Sequence, residues 1–423
     1  MPVLSVDRLK KGMVLKRDLE DADGRVLLRA GFVLGAEDLE RLKSWGVREV
    51  EVEDEPAAEL EEFEGLIRGH IDPKVLAWCE GPVASFFALT DLSHPVVRGL
   101  YRIARLRTAQ ALTAGEIMHH LRPDLLEEYA PLVPWEGWES EVPPLAGLLQ
   151  EEVELSSFPD IYHRILEVLE NPMSSAVQLA AVVDKDTSLS AKLLKLVNSA
   201  FFGFVSKVDT IHRAIALVGT DELTTLALGL SVVHYFRDIP RELMDMRVFW
   251  RHSVSCGVFA KTLAGLKGLE ARERFFVAGL LHDLGRLIMF KKLPRAATRA
   301  MIRAHTEPMS LAEAEREVIG YDHAAVGGLL LQKWKIPPAL SQMVRFHHGP
   351  EKAENQVEAS IVHLADVMAL VHGFGQVSLE RVPPPSERAW EILGLGPRDL
   401  VRAFVQADDQ IQEINMIFLE NVA

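Results

Sequence analysis

A chain of 423 residues is too long for one small core and points to two or three folded units. Its 48% hydrophobic and 25% charged content fits an ordinary globular protein. The net charge of -15 and pI near 5.5 argue against wholesale nucleic-acid binding, because a phosphate backbone attracts basic faces. Cys79 and Cys256 are the sole cysteines; they can build no disulfide framework and fit no zinc-ribbon spacing, so a reducing cytoplasm is the expected home.

The opening MPVLSVDRLKKGMV has neither a signal-peptide core nor a cleavage site. The longest apolar stretch, Leu223 to Phe236, carries His234 and Tyr235 and falls short of the roughly 20 residues a bilayer span needs. No membrane association is expected.

Residues 1–54 read as a small α+β module. The β-rich pieces GMVLKRDL and RVLLRAGFVL flank Asp23-Gly24, a hairpin turn signal; a helix AEDLERLKSWG closed by Gly46 and a strand VREVEVE follow. The acidic run EDEPAAELEEFEG reads as a solvated linker. Residues 55–144 form a connecting region, helical from Leu66 to Pro134 with turn breaks at Asp72-Pro73, Gly81-Pro82 and His94-Pro95. His119 and His120 there read as a polar helix face, and PWEGWESEVPP, with Pro134, Pro143 and Pro144, as a boundary.

Residues 145–423 read as one multi-helix domain, so the chain is predicted to be mainly α. Ile161, Ile165, Val168 and Leu169, then Leu189, Leu193, Leu194 and Leu196, then Ile211, Ile215 and Val218 recur at helical spacing. Further helices are predicted over 247–266, 273–292, 311–334 and 338–348, and again from Ala359 onward.

LSSFP at 155–159, DKDTSLSAKLLKLVNSAFFGF at 184–204 and IHRAIALVGTDELTTLAL at 211–228 resemble the motifs of HDOD domains. Asn198 is expected to end its helix in the left-handed conformation, with Phe201 and Phe202 burying against the bundle. Thr187 stands where that family usually has proline. The phrases KKGMVL, DGRVLLRAG and LKSWGV are similar to a module found ahead of some HD-GYP phosphodiesterases and related HDOD proteins.

Eight of the 15 histidines fall between residues 252 and 372. The ordered set is His252, His282-Asp283 in LLHDLGR, His323 in YDHAAVGG, His347-His348 and Asp366 in VHLADV. Imidazole nitrogens and carboxylate oxygens bind divalent transition ions, and a carboxylate can bridge two of them. On a continuous helix His282 and Asp283 would project about 100° apart, the histidine capping one site and the aspartate pointing along the pocket. The rival reading is a vestigial set of polar groups hydrogen-bonded inside a core.

The order resembles the ligand set of the HD-GYP branch of the HD superfamily. By that resemblance His252, His282, Asp283 and Asp366 hold one ion, and His323, His347 and His348 a second, with Asp283 bridging. Iron, manganese, nickel or zinc would suit such ligands. Asp283 and Arg286 are the candidate catalytic pair, Arg286 standing where HD-GYP enzymes carry a phosphate-facing lysine. Val248 stands where some of those enzymes place a glutamate, and no GYP loop follows His348, so cyclic di-GMP hydrolysis is not expected.

Lys291, Lys292, Arg295, Arg299 and Arg303 after Arg286 read as a wet helix face or as a phosphate attractor. Gly327-Gly328 reads as a site of close helix packing. The leading expectation is a non-hydrolytic signalling protein acting through protein partners; the alternative is a metal-dependent phosphodiesterase or phosphohydrolase acting on a nucleotide.

Overall fold

The computed structural model describes scattered residues between 3 and 51, and residues 71–114, 142–149, 160–171, 175–204, 206–233, 244–373 and 381–419. The Asp23-Gly24 turn, Gly46, the acidic run, His119, His120, Pro134, the LSSFP phrase and His234 to Phe236 lie outside the described residues.

In the N-terminal module Val3–Ser5 pairs antiparallel with Glu49–Glu51, Leu4 opposite Val50. Leu19–Glu20 pairs antiparallel with Val26–Leu28, the two strands that the hairpin signal implied. The Val3–Ser5 strand lies in the opening segment that sequence patterning left unassigned. Val6, Leu9, Leu15, Leu42 and Val50 bury together as a core of their own.

Beyond residue 71 the described structure is helical, with one large hydrophobic core from Cys79 to Phe418 and a smaller cluster of Ala300, Ala304, Leu311 and Ala314. The prolines read as turn breaks are helix starts. Asp72 caps the helix Pro73–Trp78 by accepting from the Lys74 amide, and His94 precedes the helix Pro95–Thr113. Pro82 sits in the first turn of the helix Glu80–Phe86, where its missing amide N–H has no helical acceptor to lose. Arg107 on Pro95–Thr113 reaches both carboxylate oxygens of Asp408 at 2.8 Å, beside His372, and so ties this region to the helix Pro397–Leu419.

The helices Asp160–Glu170, Ala176–Val183, Thr187–Val197, Ile211–Val218 and Thr220–Val233 carry the predicted periodicity. Asp186 caps Thr187–Val197 through the Ser188 and Leu189 amides, so Thr187 takes the first helical position, the one proline also suits. Asn198 does not turn left-handed; its φ is -84°. Its side chain closes the turn instead, Nδ2 donating to the carbonyls of Leu194 and Val208 and Oδ1 accepting from the Val208 amide. Gly203, with φ of 67°, supplies the left-handed residue. Phe201 buries against Phe276, and Lys261 stands over its ring while donating to its carbonyl.

Among the described residues no single helix is long and apolar enough to cross a membrane. Ile211–Val218 and Thr220–Val232 pass that test only as a pair bent by 119°, and Leu223, Leu226, Leu228 and Leu230 of the second are buried in the core.

The remaining helices frame the site. Met246–Leu266 packs against Glu273–Leu281, Gln356–His372 and Pro397–Leu419. Leu284–Lys292 packs against His323–Lys333, which in turn packs on Pro338–Arg345. Glycines set these approaches: a Cβ on Gly279 would meet the Gly257 Cα at 2.7 Å, and one on Gly285 would meet the His323 carbonyl oxygen at 1.9 Å. A Cβ on Gly328 would meet Arg345 at 2.4 Å, the close packing expected of that glycine pair.

Candidate metal centre

Each predicted ligand reaches the pocket by a local device. His252 lies in the second turn of Met246–Leu266, whose start is fixed by Asp245 accepting from the Arg247 and Val248 amides. Asp366 stands within Gln356–His372, buried on all sides. His347 and His348 follow the end of Pro338–Arg345.

The expected continuous helix over 273–292 is broken at the His282-Asp283 pair. Glu273–Leu281 ends at His282, and Asp283 leaves helical geometry with φ of -96° and ψ of 6° before Leu284–Lys292 begins. The 100° helical offset therefore does not describe the pair. Asp283 makes no side-chain capping bond, and its carboxylate turns to the pocket. The predicted helix over 311–334 is likewise two helices, Leu311–Ile319 and His323–Lys333, split at left-handed Gly320. The split makes His323 the first residue of a helix and aims it at Asp283.

The structure brings all seven predicted metal-binding residues together. Nε2 of His252 lies 3.2 Å from Nε2 of His282 and 3.1 Å from Oδ1 of Asp366, which is 3.4 Å from His282. Nε2 of His323 lies 2.8 Å from Nε2 of His348, and the His347 and His348 ring centroids are 4.0 Å apart. Asp283 stands between these sets: Oδ1 is 3.1 Å from His323 Nε2 and 3.5 Å from His282 Nε2, while Oδ2 is 3.8 Å from His252 Nε2. Three groups have ligand atoms close enough to share an ion: His252, His282 and Asp366; His323, His347 and His348; and His282, Asp283 and His347. The last joins the two expected sets through His347.

The far side of each ring decides its tautomer. Nδ1 of His282 lies 2.7 Å from the Gly279 carbonyl and Nδ1 of His347 lies 2.7 Å from the Val344 carbonyl. Carbonyls only accept, so both Nδ1 atoms carry hydrogen and donate. Nδ1 of His323 donates to Oε2 of Glu315 at 2.6 Å, and that oxygen also accepts from the His323 amide. Nε2 of each ring is thereby presented to the pocket, as outer hydrogen bonds do at histidine metal sites. Buried His347 Nε2 has no hydrogen-bond partner. An orphaned ring nitrogen facing other nitrogens and carboxylates fits a divalent transition ion.

Charge is arranged accordingly. Burial opposes ionisation of Asp283, but His282, Arg286 and His323 hold its carboxyl well below the usual range. Burial likewise opposes ionisation of Asp366, and His252 and His282 overcome it. Burial would lower His323, yet Glu315 and Asp283 push it up to about 10. Burial pushes His347 down to about 3, with His282 and His323 adding to the effect, and burial with His347 and His323 holds His348 well below its ordinary value. Two neutral imidazoles and two ionised carboxylates thus converge, and the protons on His282 and His323 are those an ion would displace.

Arg286 lies within the pocket, donating from one terminal nitrogen to Oδ2 of Asp283 at 3.0 Å. Three contributors escaped sequence reasoning. Glu315 orients His323. Cys256, one turn beyond His252, is buried, and burial raises its thiol pKa while His282 opposes the shift. His363 lies 2.7 Å through Nδ1 from the His347 carbonyl, donating to it, and accepts through Nε2 from the Ser386 amide. His372, counted with the histidine cluster, belongs instead to the Arg107 and Asp408 contact, where burial and Arg107 push it down to about 4.

Comparison with known proteins agrees with this architecture. Residues 155–350 match the family model of the HDOD domain, which includes His252 through His348 but ends before Asp366. An uncharacterized protein of Treponema pallidum (strain Nichols) is 25% identical over 252 residues, 58% of this chain and 48% of that protein. The chain thus spans about half the length of that curated relative. Among solved structures, an HDOD domain protein of unknown function from Geobacter sulfurreducens is 22% identical with a TM-score of 0.50, covering 71% of this chain and 98% of that one. This likeness is one of fold. A Shewanella amazonensis SB2B protein described as a candidate phosphohydrolase is 25% identical with a TM-score of 0.51, covering 64% of this chain and 98% of that one. Motifs, family match and helical architecture agree: the chain carries an HDOD domain.

Proposed function

We propose that this HDOD protein is a signalling component whose buried His/Asp pocket holds a divalent transition metal, iron, manganese, nickel or zinc, and which acts through protein partners rather than by hydrolysis. The single observation that carries the reading is the burial of six of the seven expected ligands, the seventh, His348, being half-buried. His252, His282, Asp283, His323, His347 and Asp366 each expose 5% or less, and Arg286 lies on Asp283. Hydrolytic metal sites keep a position open to water and substrate, whereas structural ones are closed. The buried, unbridged cysteines and the lack of a membrane-crossing helix among the described residues support a cytoplasmic setting.

A second reading is a metal-dependent phosphohydrolase acting on a nucleotide. It is favoured by two ligand sets meeting at one carboxylate and by the likeness to the Shewanella protein. Ions held there would supply Lewis acidity and lower the pKa of water. Asp283 would then orient both sites, and Arg286 would turn its fixed fork toward a phosphoryl oxygen.

Elemental analysis of the purified chain and of a His282→Ala, Asp283→Ala double variant separates these readings, with both proteins assayed against cyclic dinucleotides and a generic phosphodiester. The expected result is stoichiometric metal, lost in the variant, without turnover. Hydrolysis lost together with the metal would replace the proposal with the second reading. Absence of metal from the wild-type chain would sink both.

A further inference from the structure

We infer that Arg286 is a built-in counter-cation that holds one oxygen of Asp283 and thereby keeps the pocket from taking a second ion until the guanidinium moves away. This deepens, and rests on, the metal-binding reading.

The argument lies in how the two oxygens of Asp283 are shared. Oδ1 faces the imidazoles, 3.1 Å from His323 Nε2 and 3.5 Å from His282 Nε2. Oδ2 accepts from Arg286 at 3.0 Å, with His252 Nε2 at 3.8 Å. A carboxylate that bridges through both oxygens offers one to each ion, and here Oδ2 already faces a cation of the chain's own. That cation is permanent: a guanidinium does not lose its proton in a protein.

Removing Arg286 from Oδ2 is costly because both groups are buried, Asp283 exposing 3% and Arg286 8%. Separating a buried pair leaves two charges without their partner. An ion using Oδ1 can bind with Arg286 in place. An ion at Oδ2 meets that positive charge at close range, and displacing the guanidinium relieves the repulsion. The two ligand sets are thus complete in residues but unequal in access to the shared carboxylate. The same displacement frees the guanidinium for an oxyanion, so second-ion binding and anion binding are linked, each favouring the other.

The test is manganese binding by equilibrium dialysis with elemental counting, on the wild-type chain and on Arg286→Gln and Arg286→Met, with circular dichroism reporting the fold. The expected result is one tight ion in the wild-type chain and a second site tightened by about ten-fold or more in the variants, the scale of outer-contact effects on metal affinity. Unchanged second-site affinity in a folded variant overturns this proposal while leaving the metal reading intact. No ion in any of the three proteins overturns the metal reading and this proposal together. Should both variants unfold, a crystal structure of the manganese-loaded wild-type chain decides. Two ions with Arg286 still bound to Oδ2 refute the inference; two ions with Arg286 turned away, or one ion with the contact kept, bear it out.

Discussion

Gly285→Ala is the sharpest test of how packing positions the site. A methyl group at residue 285 would lie 1.9 Å from the His323 carbonyl oxygen and 2.8 Å from the Gly327 amide nitrogen, where real contacts stay above 3.0 Å. Both neighbours are backbone, so no side-chain rotation relieves the clash. The helices Leu284–Lys292 and His323–Lys333 must part by about 1 Å, and overpacking of this kind costs about 3 kcal/mol, the upper end of its usual range. The separation falls at His323 itself, carrying its Nε2 away from Asp283, so manganese affinity should drop by about 10–100-fold. Gly268→Ala is the control: its φ is 71° with nothing within 4 Å, so it should cost roughly 1 kcal/mol of backbone strain and leave manganese binding alone. Urea unfolding and equilibrium dialysis read both quantities. If Gly285→Ala behaves like Gly268→Ala in both, close helix approach does not build this site.

Two further outcomes follow from buried charges. Glu315→Ala strips the acceptor from both the His323 amide and its Nδ1–H, freeing the ring to rotate, and should weaken manganese binding by about 10–100-fold in competition with a chelator; wild-type affinity would show that Glu315 does not orient the ring. Burial lowers Lys261 from 10.5 to about 8, with Glu273 opposing the shift. The unfolded chain therefore binds more protons between those values, so a penalty of at most about 3 kcal/mol, complete below pH 8, is relieved as pH rises toward 10.5. Unfolding free energy measured from pH 8 to 10 should rise more steeply for the wild-type chain than for Lys261→Met. Parallel profiles would mean that the ammonium is stabilised by the Phe201 and Phe202 rings that flank it.

The helical architecture was legible because apolar spacing survives tertiary context, whereas the boundaries were not, because they turn on single residues with two physical roles. Proline after Asp72 and His94 reads as a break, yet the same absent amide N–H and fixed φ make it a good first helical residue. Asn198 could end its helix by going left-handed or by bonding through its side chain, and the choice depends on Val208, which folds back to meet it. The breaks at Asp283 and Gly320 interrupt helices whose composition runs on smoothly, and at Gly320 only the left-handed φ of 90° marks the change.

The pocket residues were legible for a different reason: metal chemistry uses few side-chain types, and an ordered set of them cannot be confused with a solvated face. What supports that set was harder to see, since outer contacts use ordinary residues. Glu315 sits in LAEAEREVI, a segment with the composition of any surface helix. Its position gives it away. Leu311, Ala314, Val318 and Ile319 mark the apolar stripe of that helix, and Glu315 lies on the stripe, one turn after Leu311. A carboxylate on a buried face must find a partner or lose its charge, and the nearest histidine in the chain that could serve is His323. Arg286 follows the same logic one turn from Asp283: a long cation three residues from a buried carboxylate satisfies it locally, and in doing so faces an oxygen that the HD-GYP resemblance assigns to an ion.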